Sequence, residues 1–167
     1  MGPKPAVDPN EKKYVYLKCV GGEVAAAAAL APKCGPLGMP PKVMGEAIQK
    51  ATQKWKGIKV FVEVMVQNRV PTVTVLPSAA PLVLAALKEP PRDRKKVKNV
   101  LHNGKITMED VIGIAKQMRS KSYAKEFKGT VKEVLGTCVS FGCTIDGEDP
   151  RSIQSQIDKN KIDVGKF

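Results

Sequence analysis

Two valine-rich runs near the middle of the chain restrict its fold more than any other feature. Residues 58–66 and 70–76 are separated only by Gln67-Asn68-Arg69. β-Branched side chains favour strands, and two such runs with so short a connection are typical of a β-hairpin. Valine recurs at every second position of the first run, which predicts one buried face on that strand. The residues of that face are Val60, Val62, Val64 and Val66.

The residues before the hairpin predict a further strand and a helix. Tyr14–Cys19 alternates as a strand does, with Val15, Leu17 and Cys19 on one face. After Pro40-Pro41, apolar residues recur at helical spacing, which predicts a helix with one stripe facing a core. The stripe consists of Val43, Met44, Ala47, Ile48 and Ala51, with Trp55 at its end. We therefore expect residues 1–76 to form an N-terminal α/β unit with a three-stranded, mostly antiparallel sheet.

Residues 77–145 predict a second, C-terminal unit of three helices and two very short strands, one of them at Lys105-Ile106. Ser78 and Thr107 can cap the first two helices, and the capping-box pattern at Thr130-Val131-Lys132-Glu133 predicts the start of the third. The third helix has an apolar stripe made of Val131, Val134, Leu135, Cys138 and Phe141. The fold class is therefore α+β with two small domains. Residues 146–167 are predicted to be a polar C-terminal extension with no assigned role.

Composition limits the class of partner. The chain of 167 residues is 43% apolar, which is enough for real cores, and carries a net charge of +12. So basic a protein favours an acidic partner, nucleic acid above all, although charge alone is also compatible with an anionic membrane surface. The apolar runs are too short to span a bilayer and no signal peptide is evident, so we expect an intracellular protein.

A strongly basic segment follows the first helix of the second unit. Six basic side chains fall within residues 88–98, a range that also contains two adjacent prolines near its start. Alone, such a run is more often a solvated linker, but a second basic stretch at residues 116–132 favours a shared polyanion-binding surface. Aromatic residues for stacking single-stranded bases are scarce, which favours structured RNA. The predicted RNA-binding residues here are Arg92, Arg94, Lys95, Lys96 and Lys98, with Lys132 in the second stretch.

The polar face of the third helix is a further candidate RNA contact. Gly136, Thr137 and Ser140 lie opposite the apolar stripe. Glycine inside a helix costs about 1 kcal/mol against alanine, which indicates that another backbone approaches there. That backbone belongs either to RNA, whose phosphate and ribose oxygens the hydroxyls can reach, or to a neighbouring helix.

The segment Leu30–Pro41 is rich in glycine and proline but lacks the Gly-Lys-Ser/Thr of a phosphate-binding loop. It is either a rigid docking surface for a macromolecule or a connector into the next helix. Nothing predicts an enzyme, because no nucleophile has a recognisable base and the one histidine, His102, is predicted to be a loop residue. The four cysteines form no C-x-x-C pair, so we expect buried, reduced thiols and no metal or other cofactor.

Taken together, these segments resemble the large-subunit ribosomal protein eleven family, in its eukaryotic cytosolic branch. The likeness runs nearly end to end. Its motifs are Asp8-Pro9-Asn10-Glu11, Leu30-Ala31-Pro32-Lys33, Gly35-Pro36-Leu37-Gly38, Gln67-Asn68-Arg69, Leu87 to Lys96 and Leu135-Gly136-Thr137.

The resemblance implies a non-enzymatic component of the ribosomal stalk base, cytoplasmic and bound to ribosomes. Its C-terminal domain would bind the folded RNA of the GTPase-associated centre through Arg92 to Lys98 and through Gly136, Thr137 and Ser140. Its N-terminal domain would face translational GTPases and the neighbouring stalk protein through Pro32, Lys33, Gly35 and Pro36. The alternative is a free-standing basic RNA-binding adaptor.

Overall fold

A computed structural model of the chain describes residues 11–24, 27–90, 100 and 102–165. The chain divides into two compact units, Met1–Leu76 and Pro77–Phe167. Each unit has its own hydrophobic core. The predicted α+β fold class is confirmed, since the first unit contains a three-stranded sheet and the second contains helices with a two-stranded sheet.

The first unit is built on an antiparallel sheet with β2 in the centre. The predicted alternation is confirmed, because Val60, Val62 and Val64 are at most 1% exposed. The elements in order are β1 (Lys13–Val20), α1 (Ala27–Cys34), a 3-10 turn (Gly35–Leu37), α2 (Pro41–Ala51), a second 3-10 turn (Gln53–Trp55), β2 (Lys59–Gln67) and β3 (Val70–Leu76).

The hairpin turn is shorter than the sequence indicates, because β2 extends to Gln67, which pairs with Val70. The turn itself consists of Asn68 and Arg69, which have φ values of 51° and 59°. Positive φ at both central residues is typical of the two-residue turns whose twist matches that of the flanking strands.

Helices α1 and α2 contribute to the same core as the valine face of the sheet. Met44 and Ile48 are completely buried, and the thiol of Cys34 lies 3.4 Å from the Met44 sulfur. The sequence pattern places Val43 in the buried stripe of α2, but Val43 is 44% exposed. The buried stripe is narrower than predicted, because helical spacing alone does not show how much of a helix meets the sheet.

In its described residues, the second unit contains four helices and two short parallel strands. They are α3 (Ala79–Ala86), β4 (Lys105–Ile106), α4 (Met108–Met118), a 3-10 turn (Arg119–Lys121), α5 (Phe127–Phe141), β5 (Thr144–Ile145) and α6 (Pro150–Asp158). The core surrounds α5, whose Val131, Leu135 and Cys138 are completely buried. In the described part of the chain, no helix has both the length and the apolar character that a membrane crossing requires.

The start of α5 differs from the prediction. The helix begins at Phe127, three residues before the predicted cap, and Thr130 is completely buried inside it. The Thr130 hydroxyl donates to the Ser122 hydroxyl at 2.9 Å and accepts from the Arg119 guanidinium at 3.1 Å. Thr130 therefore links the helix to the preceding loop and caps nothing. The Thr107 cap is confirmed, because its hydroxyl accepts from the Asp110 amide, whereas Ser78 makes no side-chain cap bond.

Helix α6 lies in the segment that the sequence predicts to be a polar extension. The Asp149 carboxylate caps it by accepting from the Arg151 amide at 2.7 Å. Ile153 and Ile157 enter the core of the second unit, at 4% and 1% exposure. Pro150, Ile153 and Ile157 form the buried face at helical spacing, but the other residues of this short helix are polar, and its polar composition conceals the pattern.

We expect α6 to be essential for the stability of the second unit. Ile157→Ala should lower its free energy of unfolding by about 2–5 kcal/mol, because it leaves a cavity in a closed core. The control Ser155→Ala, at an exposed position on the same helix, should change it by less than about 0.5 kcal/mol. Urea denaturation followed by circular dichroism measures both, and equal small effects would mean that α6 is only loosely attached.

Candidate nucleic-acid interface

The face of α5 opposite its buried stripe is open. Gly136 and Ser140 are exposed and Thr137 is half-buried. A β-carbon built on Gly136 would meet only the Gln154 side-chain nitrogen, at 3.8 Å, which is an ordinary contact. Among the described residues, no neighbouring helix approaches closely enough to require glycine here. This geometry favours an external ligand over the helix-packing alternative.

The two hydroxyls of this face already donate to their own helix. Thr137 Oγ1 donates to the Glu133 carbonyl at 3.2 Å, and Ser140 Oγ donates to the Thr137 carbonyl at 2.6 Å. Their oxygens retain acceptor capacity, so in this rotamer they suit a donor such as a ribose 2′-hydroxyl. A phosphate oxygen can only accept, so a contact to phosphate requires these hydroxyls to rotate away from the helix.

Lys132, predicted to bind RNA, lies one turn before Gly136 and has a partner within the protein. Its ammonium donates to Asp158 of α6 at 2.6 Å, and the side chains are 33% and 59% exposed. An ammonium has three donors, so Lys132 can still contact a phosphate. Asp158 neutralises part of its charge, so its contribution to a polyanion site is smaller than the sequence indicates.

Other cations of the second basic stretch are also engaged. Arg119 donates to the carbonyls of Ala124 and Lys125 and to Thr130, so it organises the loop before α5. Lys128 pairs with Glu126 at 2.8 Å, and this contact raises the pKa of Lys128 while lowering that of Glu126. Both groups are exposed, so the pair contributes little stability. Counting positive residues therefore overstates the positive potential of this stretch.

Two residues that flank the main group of cations, Glu89 and His102, contact each other. Arg92, Arg94, Lys95, Lys96 and Lys98 lie outside the described residues. His102, expected to be a plain loop residue, is only 7% exposed and lies 2.7 Å from the Glu89 carboxylate. His102 does lie in a loop, as predicted, but its burial was not foreseen, because a lone histidine in sequence gives no sign of a partner thirteen residues away.

The proline-rich residues of the first unit form an exposed ridge. Pro32 and Lys33 belong to the last turn of α1, and Gly35 and Pro36 begin the 3-10 turn that follows. All four are exposed, whereas Cys34 and Leu37 between and after them are buried. The Lys33 ammonium donates to the Tyr16 carbonyl of β1 at 2.6 Å. This hydrogen bond and the buried side chains of Cys34 and Leu37 attach the ridge to the rest of the first unit.

Sequence reasoning missed several residues near these surfaces. Gln154 and Asp158 of α6 border the open face of α5, since the Gln154 amide donates to the Lys132 carbonyl at 3.0 Å. Tyr123 is fully exposed, two residues from Lys121 on one side and Lys125 on the other. Its place between two lysines of the second basic stretch was readable from the sequence.

The four cysteines are free and buried. Burial raises the pKa of the Cys138 thiol to about 12, so it stays protonated at neutral pH. In the residues that the structure describes, no group of three metal-binding side chains comes together.

The chain is similar in sequence to proteins of the large ribosomal subunit. A family profile described as "Ribosomal protein L11, RNA binding domain" matches residues 75–145, and "Ribosomal protein L11, N-terminal domain" matches residues 15–70. "Large ribosomal subunit protein uL11x" of Arabidopsis thaliana is 60% identical over 161 residues, which cover 96% of this chain and 97% of the relative. "Large ribosomal subunit protein uL11" of Caenorhabditis elegans is 58% identical and "uL11A" of Schizosaccharomyces pombe 54% identical, each with the same coverage.

The openness of the α5 face can be tested without any ligand. Gly136→Ala should raise the free energy of unfolding by about 0.5–1 kcal/mol, because alanine is the better helix former and has room. The matched control is Gly129→Ala in the first turn of the same helix, where the new β-carbon would lie 2.7 Å from that of Ala124. That variant should be destabilised. Urea melts that ranked the two variants in the opposite order would show that the α5 face is not open.

Proposed function

Because the chain belongs to the ribosomal protein L11 family, we propose that it is a structural, non-enzymatic component of the large ribosomal subunit that binds ribosomal RNA. In this proposal, it lies at the base of the ribosomal stalk and holds the RNA of the GTPase-associated centre. It is ribosome-associated in the cytoplasm and acts as mechanical support. Its partners are that RNA, the neighbouring stalk protein and the translational GTPases.

The RNA is assigned to the C-terminal domain, residues 77–145. The observation that carries this assignment is the open face around Gly136 on α5, where a missing side chain leaves backbone accessible to a ligand. The wide, shallow minor groove of A-form RNA displays ribose hydroxyls and suits a flat patch with acceptor oxygens. Thr137 and Ser140 supply those acceptors. The basic residues Arg92, Arg94, Lys95, Lys96 and Lys98 supply the charge that phosphates attract.

The factors and the stalk protein are assigned to the N-terminal domain, residues 1–76. The ridge of Pro32, Lys33, Gly35 and Pro36 supports this assignment, because it is exposed and anchored to β1 through the Lys33 ammonium. A surface that is already rigid loses little conformational entropy when a partner docks. Co-sedimentation with large ribosomal subunits in high salt separates this function from that of a free-standing RNA-binding adaptor, which would be released.

Gly136→Leu should weaken RNA binding without harming the fold. A leucine side chain would hold the RNA backbone away from α5 and cost the hydrogen bonds at Thr137 and Ser140, each worth about 1 kcal/mol, so affinity should fall at least about tenfold. Stability should stay within about 1 kcal/mol of the parent, since leucine is a good helix former. Filter binding to a GTPase-centre RNA fragment, together with a thermal melt, measures both.

The matched control for that variant is Gly113→Leu in α4. A β-carbon on Gly113 meets nothing within 4 Å, so the same change in helix propensity is made with room for the side chain, but on another helix. RNA affinity should be unchanged in this control. If Gly136→Leu melts at a lower temperature while its folded fraction binds RNA normally, the assignment of this face to RNA is wrong.

The two assigned surfaces should be separable by mutation. Pro32→Ala combined with Pro36→Ala should slow ribosome-stimulated GTP turnover by an elongation factor several-fold, since a flexible ridge loses entropy on docking. RNA affinity should stay within about twofold, because RNA is assigned to the other domain. Thr72→Ala with Thr74→Ala, at exposed positions of β3, is the control and should leave both activities intact. Parallel loss of RNA binding and turnover in the proline variant would indicate one shared surface.

A further inference from the structure

Glu89 and His102 form a nearly buried pair at the two ends of the basic segment. The Glu89 carboxylate contacts His102 Nδ1 at 2.7 Å with one oxygen and accepts from the Gly104 amide at 3.1 Å with the other. The side chains of Glu89 and His102 are only 14% and 7% exposed. Residue 89 therefore lies beside residues 102–104, so the residues that flank Arg92 to Lys98 in the sequence meet at one place.

The surroundings of the pair hold it rigidly. The His102 ring packs edge-on against Phe141, the last residue of α5, with ring centres 5.2 Å apart and an interplanar angle of 76°. A side chain at Gly104 would force the buried Leu87 side chain to move, and its β-carbon would lie 3.2 Å from the Glu89 carboxylate. The contact thus connects the end of α3, the entrance to β4 and the C-terminal end of α5.

A solvated charged linker would not need a buried contact such as that between Glu89 and His102. A carboxylate withdrawn from water is unfavourable unless hydrogen bonds replace its hydration, and here both oxygens have partners. Holding the two ends of a segment together restricts its conformations before any ligand arrives. Like charges close in sequence repel one another, so a contact that joins the residues on either side of them opposes that repulsion.

We propose that Glu89 and His102 are positioning residues for RNA binding. The hydrogen-bonded pair fixes the base of the basic segment, so that its cations reach the RNA phosphates from a restricted starting point. The pair itself contacts no RNA. This inference rests on the proposed function in one respect, which is that residues 92–98 bind the phosphates.

The test uses the full chain and the GTPase-centre RNA fragment, with affinity measured at several salt concentrations well below the melting temperature. Glu89→Ala and His102→Ala should each weaken binding by between about three- and tenfold, because ordering a looser segment costs conformational entropy. The dependence of affinity on salt should keep its slope, because the number of phosphates bound is unchanged. The double variant should bind about as well as either single one, since both changes break the same hydrogen-bonded pair.

Two controls distinguish positioning from general destabilisation. Val111→Ala removes volume from the same core, where Val111 is completely buried, and should lower the melting temperature without changing the affinity of the folded protein. Glu89→Gln retains a hydrogen-bonding group of the same shape and should recover most of the affinity that Glu89→Ala removes. Alanine variants of Glu89 and His102 that bind RNA as tightly as Val111→Ala, or effects that add in the double variant, would overturn the proposal.

A further variant separates failure of this inference from failure of the proposed function. Arg94→Ala with Lys96→Ala should lower the salt slope by about 0.7 to 0.9 for each phosphate that the variant no longer neutralises. If this variant behaves so while the alanine variants of Glu89 and His102 bind normally, that pair is only structural and the RNA assignment stands. If its slope is unchanged, the segment does not bind the phosphates, and both proposals are overturned.

Discussion

The burial of one side of α5 is the constraint on which the second unit depends. Val131, Val134, Leu135 and Cys138 are at most 1% exposed, and α3, α4 and α6 all contact this helix. Once those residues face the core, helical geometry places Gly136 and Ser140 on the outer side. The open face is therefore a consequence of the core, and any change that rotated α5 would remove it.

In the first unit, the burial of one face of the sheet decides in the same way which residues are exposed. The valine face of β2 is buried against residues from α1, α2 and the turn between them, so Leu30, Cys34 and Leu37 point inward. The residues interleaved with them, Pro32 and Pro36 among others, must then point outward. The exposed ridge exists because the chain around it alternates between core and solvent, which a loop without buried anchors could not maintain.

Not every basic residue is available to bind a polyanion. Some cations have structural partners, as Arg119 has in the loop before α5 and Lys132 has in Asp158. The Glu89 carboxylate, which the sequence presents as one acid inside a basic run, serves the fold by holding His102 and the Gly104 amide. Net charge thus indicates an acidic partner correctly, but it does not show which charges remain available to bind one.

The sequence by itself determined most of the secondary structure and the direction of burial, and only the tertiary structure decided which distant residues meet. The alternation of β1 and β2, the Thr107 cap and the stripe of α5 are local or periodic signals, so short windows of sequence contain them. The position of Gly136 opposite the buried stripe was predictable for the same reason, whereas the open space beside it was shown only by the structure. The pairs Glu89 with His102 and Lys132 with Asp158, the burial of Thr130 and the entry of α6 into the core are contacts between distant segments. No periodicity encodes them, because each requires two segments to be brought together by a core that forms from other residues.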